Sequence, residues 1–231
     1  MLKLALTMIA LVLSIKQIHA GEKSLYDFLW LDPDKKVYVL QNKLYKKEYT
    51  WYADVGYLSN FTSKFQDTRG FQIKTGYYFH EEWGIELFYN QYANSNNDEM
   101  SSIKHVNGVE PFMRKFNSTY GALLVWSPFY GKINTFNKIF YFDWSFGAGI
   151  GQISSESNLK SAAIFSQQST FEKEKHTAGI LKTNVKFHVT ENVHVGIEYM
   201  WTGYSAPGPK NPQKDNLRSN SDLIFSVGFS Y

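Results

Sequence analysis

Eight segments of alternating apolar and polar residues, apolar faces that carry no charge, and an N-terminal run built like an export signal together predict the fold class. It is all-β: an eight-stranded antiparallel up-and-down transmembrane β-barrel with a short periplasmic N-terminal segment. A period of two sends successive side chains to opposite faces of a strand, so each segment has one apolar face and one that is not. The expected organisation is a signal peptide over 1–20, a periplasmic N-terminal segment over 21–48 and the barrel over 49–231.

The first element is "MLKLALTMIALVLSIKQIHA". Lys3 supplies the positive start, Leu4 to Ile15 an apolar run, and Ile18-His19-Ala20 a cleavage site, so removal after Ala20 is expected. The run is shorter than the roughly 20 residues a membrane-spanning helix needs. It is apolar all round, which does not suit a buried amphipathic helix. The sequence has no cysteine, which leaves neither disulfides nor a lipoprotein attachment residue. Residues 21–48 mix "SLYDFLW" with "DPDKKVYVLQNKLYKK" and are expected on the periplasmic side, either binding a partner or tucking into the lumen.

The strands follow in order as Tyr49–Leu58, Gly70–Phe79, Trp83–Asn90, Tyr120–Trp126, Phe140–Ile150, Thr177–Val189, Val193–Trp201 and Asp222–Tyr231. Charged residues make up 19% of the chain, yet none falls on the apolar face of any of these segments. The opposite faces carry Asp54, Lys74, Glu86, Asp143, Lys182, Lys186, Glu198 and Asp222, with His188 and His194 beside them. A soluble sandwich or a lipocalin-like barrel would turn the apolar face inward, and a membrane barrel turns it outward. Outward is expected here for four reasons. The bore of an eight-stranded barrel is just filled by side chains and has no room for so many aromatic rings. Those rings gather at segment ends, as two interfacial belts require. Glycines such as Gly56, Gly76, Gly147 and Gly196 fall on the polar face, where a crowded lumen needs them. The final strand ends on Tyr231.

The connections fit the same arrangement. His80-Glu81-Glu82 and Thr190-Glu191-Asn192 are short turns, and 59–69, 93–119, 152–176 and 202–220 are long. The moderate piece 127–138, with Pro128 and Gly131, is read as a shaped turn on the short side.

"DLIFSVGFSY" is similar to the carboxy-terminal recognition strand of outer-membrane barrel proteins, with Leu223, Phe225, Val227, Phe229 and Tyr231 on one face. That resemblance implies reading by the barrel-assembly machinery and pairing with the first strand. Closure is also required physically, because an open edge would leave backbone groups unpaired in hydrocarbon. A wider resemblance is carried by "LDPDKKVYVLQNKLYKKE", "GYYFHEEWGIELFYN" and "WSPFYGKINTFNKIFYFDWSFGAG". Gln41-Asn42-Lys43, Trp83-Gly84-Ile85-Glu86 and Ser127-Pro128-Phe129-Tyr130-Gly131-Lys132 are its clearest patches. In these stretches the chain resembles the outer-membrane β-barrel domain family of delta-proteobacterial type. Members are largely of unassigned function, and some similar proteins are associated with envelope machineries for gliding. The resemblance implies a class and an outer-membrane location, not a reaction.

Candidate chemistry is sparse. "GAGIG" (Gly147–Gly151) has the look of a phosphate loop, but no helix follows it, and packing is the expected role of its glycines. His188 and His194 flank a turn without a third metal ligand in a spaced motif, so no metal and no cofactor are expected. The inward charges could form an acid–base site, but salt-bridged filling of a small bore is expected instead. His105 and His176 stand in serine-rich connections with nothing to single out a nucleophile, so no enzyme activity is expected. A net charge of +3 without a basic stripe gives nucleic acid no support. The expected partners are outer-membrane lipid, the assembly machinery during insertion, and an envelope protein as a further option. The functional expectation is a structural anchor or interaction module with a filled lumen. The alternative is a narrow porin-like channel for ions or small solutes, with an outer-membrane enzyme ranked below both.

Overall fold

The computed structural model describes residues 43–108, 110–135, 138–163, 170–209 and 211–231. The signal segment expected over 1–20, and 21–42 of the segment that follows it, lie outside the described residues. Eight strands form the wall: β1 (Trp51–Asn60), β2 (Gln66–Tyr78), β3 (Trp83–Asn96), β4 (Arg114–Thr135), β5 (Lys138–Ser157), β6 (Glu172–His188), β7 (Val193–Gly208) and β8 (Asn211–Ser230). Each pairs antiparallel with the next, and β8 returns to β1 from Tyr52↔Ser230 to Asn60↔Asp222, closing the barrel. Every strand therefore has two partners, and no edge is left within the wall.

The register winds as it goes round. From Trp51 the partners run Tyr77, Ile85, Leu124, Ala148, Leu181, Trp201 and Ser221. Ser221 then accepts at 3.0 Å from the backbone N–H of Phe61, ten residues beyond the start. A stagger of that size around eight strands tilts them steeply and leaves a bore that side chains can just fill.

The faces are inverted relative to a soluble barrel. Val55, Ile85, Leu87 and Val227 are 55–61% exposed on the outside, as are Trp144 at 42% and Phe225 at 50%. Inside lie the polar side chains, many of them almost wholly buried. Such a wall is stable only where hydrocarbon covers its outer face, so this is a transmembrane β-barrel. Rings cluster toward the two rims of the wall: Trp51 with Tyr77, and Trp83 with Trp126, near the turns. Toward the opposite rim Tyr89, Tyr120 and Tyr199 each tie a hydroxyl to Gln91, Gln152 or Ser221. An apolar body with a wet tip is what an interfacial position demands.

Several strands run further than the alternation suggests. Of the stretches expected as loops, 202–220 is nearly all strand, and 93–119 and 152–176 are strand at both ends, because β3 to β8 continue beyond the apolar belt. Their outer faces are polar there, so no apolar period marks them. The third connection also contains helix α1 (Asp98–Asn107). Asn97 caps it by accepting from the Met100 N–H at 3.0 Å, and Gly108, at φ 64°, ends it in the left-handed region. A short helix α2 (Leu159–Ala163) follows β5.

The piece 127–138 is not a shaped turn but the far part of the β4–β5 hairpin, paired from Phe129↔Trp144 to Thr135↔Lys138. Pro128 sits inside a register shift between Trp126 and Phe129, where its missing N–H breaks no ladder bond. Beyond that shift β4 has left β3, whose first residue Trp83 pairs with Trp126, while β5 keeps β6 as far as Tyr141↔His188. Past Lys132 and Tyr141 a two-stranded ribbon projects beyond the other short turns. At the first strand the backbone differs too. Tyr49 lies before β1 with φ 62°, because the chain must turn there from Lys47 into the wall.

Candidate functional site

Alternation within the tilted wall points charged side chains from seven strands into one bore. Asp54, Lys74, Glu86, Asp143, Lys182, Lys186, Glu198 and Asp222 all face inward, none more than 7% exposed. They separate into three groups.

In the middle, Glu198 takes Lys74 Nζ at 2.7 Å and Lys182 Nζ at 2.9 Å. Lys182 also reaches Glu86 at 2.5 Å, and Lys74 reaches Asp54 at 3.3 Å. Neutral donors complete the cluster: Tyr52 donates its hydroxyl to Glu86 at 2.6 Å, and Gln72 its amide to Glu198 at 3.1 Å. His194 Nε2 lies 2.7 Å from Asp54, with Ser230 Oγ 3.1 Å from its other ring nitrogen. Lys186 places its ammonium 4.0 Å from the centre of the Tyr52 ring. Charges stripped of water remain ionised only when they are paired and hydrogen-bonded in this way.

At the short-turn end, Asp143 is held by His188 Nε2 at 2.7 Å and by Lys47 Nζ at 2.5 Å. Lys47 belongs to no strand. The piece 43–48 folds across this mouth and inserts the Lys47 side chain, which also donates to Ser127 at 2.9 Å. Tyr45 stacks on His188 with ring centroids 4.5 Å apart. Glu81, in the β2–β3 turn, accepts from the Lys47 and Glu48 backbone N–H groups and pairs with Lys43 at 2.9 Å. The expected inward set holds five carboxylates and three lysines. Lys47 supplies a fourth lysine, and no periodicity near it could have announced that.

Lys47→Met is expected to free this piece while leaving the wall intact. The lost charge-assisted bond is worth about 1.5–3 kcal/mol. Amide exchange at residues 47 and 48 should therefore rise roughly ten- to hundred-fold, with the β1–β8 amides unchanged. Hydrogen exchange resolved by residue checks both halves of that expectation.

Toward the other end Asp222 meets neutral donors: Tyr92 at 2.7 Å, Asn60 at 2.5 Å and Asn220 at 3.1 Å. Between it and the central cluster lies an apolar layer of Leu58, Leu123, Ile180, Met200 and Ile224, each at most 3% exposed. Alternation does not lead one to expect this layer. The residues sit in consecutive apolar runs, "LLV", "IL", "YMW" and "LIF", where the inward face has become greasy as well.

The other candidates separate clearly. The "GAGIG" run lies within β5, where Gly147 faces Lys182 and Gly149 faces Leu123, and a Cβ at either would crowd those side chains. His188 and His194 have ring centroids 6.5 Å apart and are each committed to a different carboxylate. No cluster of three or more potential metal ligands occurs among the described residues. His176 and Ser157 both bond to Glu174 and not to each other, so the imidazole is not placed to take the serine proton. His105 is exposed on α1. Leu223, Phe225, Val227, Phe229 and Tyr231 lie on the outer side, Leu223 half-buried and the others exposed. Tyr231 exchanges two backbone bonds of 2.8 Å with Trp51.

The fold and the bore define a small, eight-stranded transmembrane β-barrel. No family model matches the chain, and no curated protein matches it. Among solved structures it is similar to the attachment invasion locus protein Ail of Yersinia pestis, at 13% identity and a TM-score of 0.48, over 80% of this chain and 99% of that one. It is similar to Neisserial surface protein A at 15% identity and 0.42, over 79% and 95%. It is also similar to OprG from Pseudomonas aeruginosa at 13% identity and 0.45, over 81% and 98%.

Proposed function

We propose that this chain is an outer-membrane barrel acting as a structural anchor or interaction module of the cell envelope, with a bore closed by its own side chains. One observation carries the reading: Lys74, Glu86, Lys182 and Glu198 neutralise one another across the bore, none more than 5% exposed, beside an apolar layer of Leu58, Leu123, Ile180, Met200 and Ile224. A path for ions would have to break that cluster. The working surfaces are then the two ends, namely the long connections on one side and the β4–β5 ribbon with piece 43–48 on the other. Catalysis, a cofactor and nucleic acid have no part in this reading.

Delivery follows from the export signal, cleaved after Ala20. Insertion follows from reading of the strand bearing Leu223, Phe225, Val227, Phe229 and Tyr231 by the barrel-assembly machinery. Membership of the outer-membrane β-barrel domain family of delta-proteobacterial type belongs to the same proposal, on the patches named above.

A narrow channel for ions or small solutes is the second reading, favoured by the polar lining itself. Purified protein in planar bilayers is expected to show no steady conductance. A steady conductance that disappears in Gly147→Leu, which enlarges a residue already against Lys182, would put the channel first.

A further inference from the structure

At the end carrying the long connections the bore opens into a hollow of about 490 Å³, to which the proposed function assigns no ligand. Its volume falls within the range of small-molecule sites. Two kinds of side chain line it. Phe65, Phe112, Phe116 and Tyr204 present rings, and Lys64, Arg114 and Arg218 present positive charge.

The three cations are not equivalent. Arg114, 8% exposed, is anchored in the wall: its Nε and Nη2 donate to Glu174 at 3.2 and 3.0 Å, and Nη2 also donates to the Pro207 carbonyl at 3.1 Å. Its guanidinium lies 5.6 Å from the Phe112 ring and 5.9 Å from the Tyr204 ring. Arg114 therefore builds the wall of the hollow, with Nε and Nη2 given to protein acceptors.

Arg218 and Lys64 have no carboxylate within ion-pair distance among the described residues. The Arg218 Nε–H is buried and has no acceptor among the described residues. A donor withdrawn from water without an acceptor is rare in a native protein and needs an explanation. The backbone accommodates that guanidinium deliberately. A Cβ at Gly208 would collide with Arg218 Nη2, so glycine there lets the group lie against the end of β7.

We propose that this hollow binds a small organic anion, a phosphate, sulfate or carboxylate on an apolar or aromatic body. The planar guanidinium of Arg218 would receive the anionic group in a forked contact, with Lys64 adding a point charge. The body would lie on Phe65, Phe116 and Tyr204. A solute outside the cell and a group borne on a neighbouring lipid can both present this chemistry.

The test uses the purified full chain in zwitterionic micelles, with 1-naphthyl phosphate as the probe and calorimetric titration as the readout. Binding is expected at least ten-fold tighter than that of 1-naphthol or of inorganic phosphate. Arg218→Ala should lose ten-fold or more, Arg218→Lys should recover part of that, and Gly208→Ala should weaken binding by displacing the guanidinium. Folding of each variant is checked by its β-sheet circular dichroism. Absence of saturable binding, equal binding of 1-naphthol, or unchanged affinity in folded Arg218→Ala overturns the proposal. Repeating the titration in phosphatidylcholine nanodiscs with and without lipopolysaccharide separates the sources. Displacement of the probe by lipopolysaccharide identifies a lipid-borne anion, and unchanged probe binding identifies a free solute. Neither result depends on whether the bore below conducts.

Discussion

Glu198→Ala is expected to destabilise the folded barrel by about 3–5 kcal/mol, measured by urea unfolding in lipid vesicles. The carboxylate is fully buried and lies within 2.9 Å of two ammonium groups, so its removal strands both of them. Loss of one partner from a buried pair costs this much because the remaining charge can neither reach water nor find a substitute. Here the neighbours offer partial relief, since Lys182 keeps Glu86 and Lys74 keeps Asp54. A second substitution sharpens the expectation. Lys74→Met in the Glu198→Ala background should cost less than it does in the wild type, because it removes a charge already stranded. Strict additivity of the two changes would mean that the pairs do not interact as their distances indicate.

Val227→Lys should cost about 2–4 kcal/mol, the range for a cation at the lipid face near mid-membrane, and Leu124→Lys should behave alike. Both side chains point outward, Val227 at 59% and Leu124 at 48% exposure, on strands far apart around the wall. Val227 pairs with Val55 on one side and Val195 on the other, so the lysine would have no nearby acid on its own face. The control is Ser205→Lys, exposed on β7 beyond the apolar belt, which should be close to neutral. Unfolding of the variants in the same vesicles measures all three. Wild-type stability in both belt variants would mean that these faces do not meet hydrocarbon.

Much of this architecture is legible in the sequence. The eight strands and their facing follow from a period of two, which is strong wherever one face meets lipid and the other a charged bore. The same signal fades where both faces are polar. Glu172–His176 pairs with β5 as regular strand, yet "EKEKH" has no apolar side to reveal it. The ribbon beyond Trp126 was hidden differently, because Pro128 and Gly131 mark turns far more often than a register shift within a strand.

The inward facing of Asp54, Lys74 and Glu198 follows from alternation, but their mutual distances do not. Which residues meet across the bore depends on the stagger, and stagger is a property of the whole closed circuit. Lys47 lay beyond reach for another reason: its place is fixed by a turn at Tyr49 and by Glu81, neither of which belongs to a repeating pattern. The apolar layer could have been found, since "LLV" and "LIF" interrupt the alternation just where an inward side chain loses its polarity.

The ten-residue offset at the β1–β8 seam has an arithmetic consequence. It is an even number, and with side chains alternating it has to be: an odd offset would bring an inward position of β8 beside an outward position of β1. Adding or deleting one residue inside the regular part of a strand would flip every position beyond it, delivering lysines to acyl chains and leucines to the ion pairs. A single extra residue is accommodated only where a bulge takes it up, as β4 does between Trp126 and Phe129. The connections at either end obey no such parity, and they are where its size is free to vary.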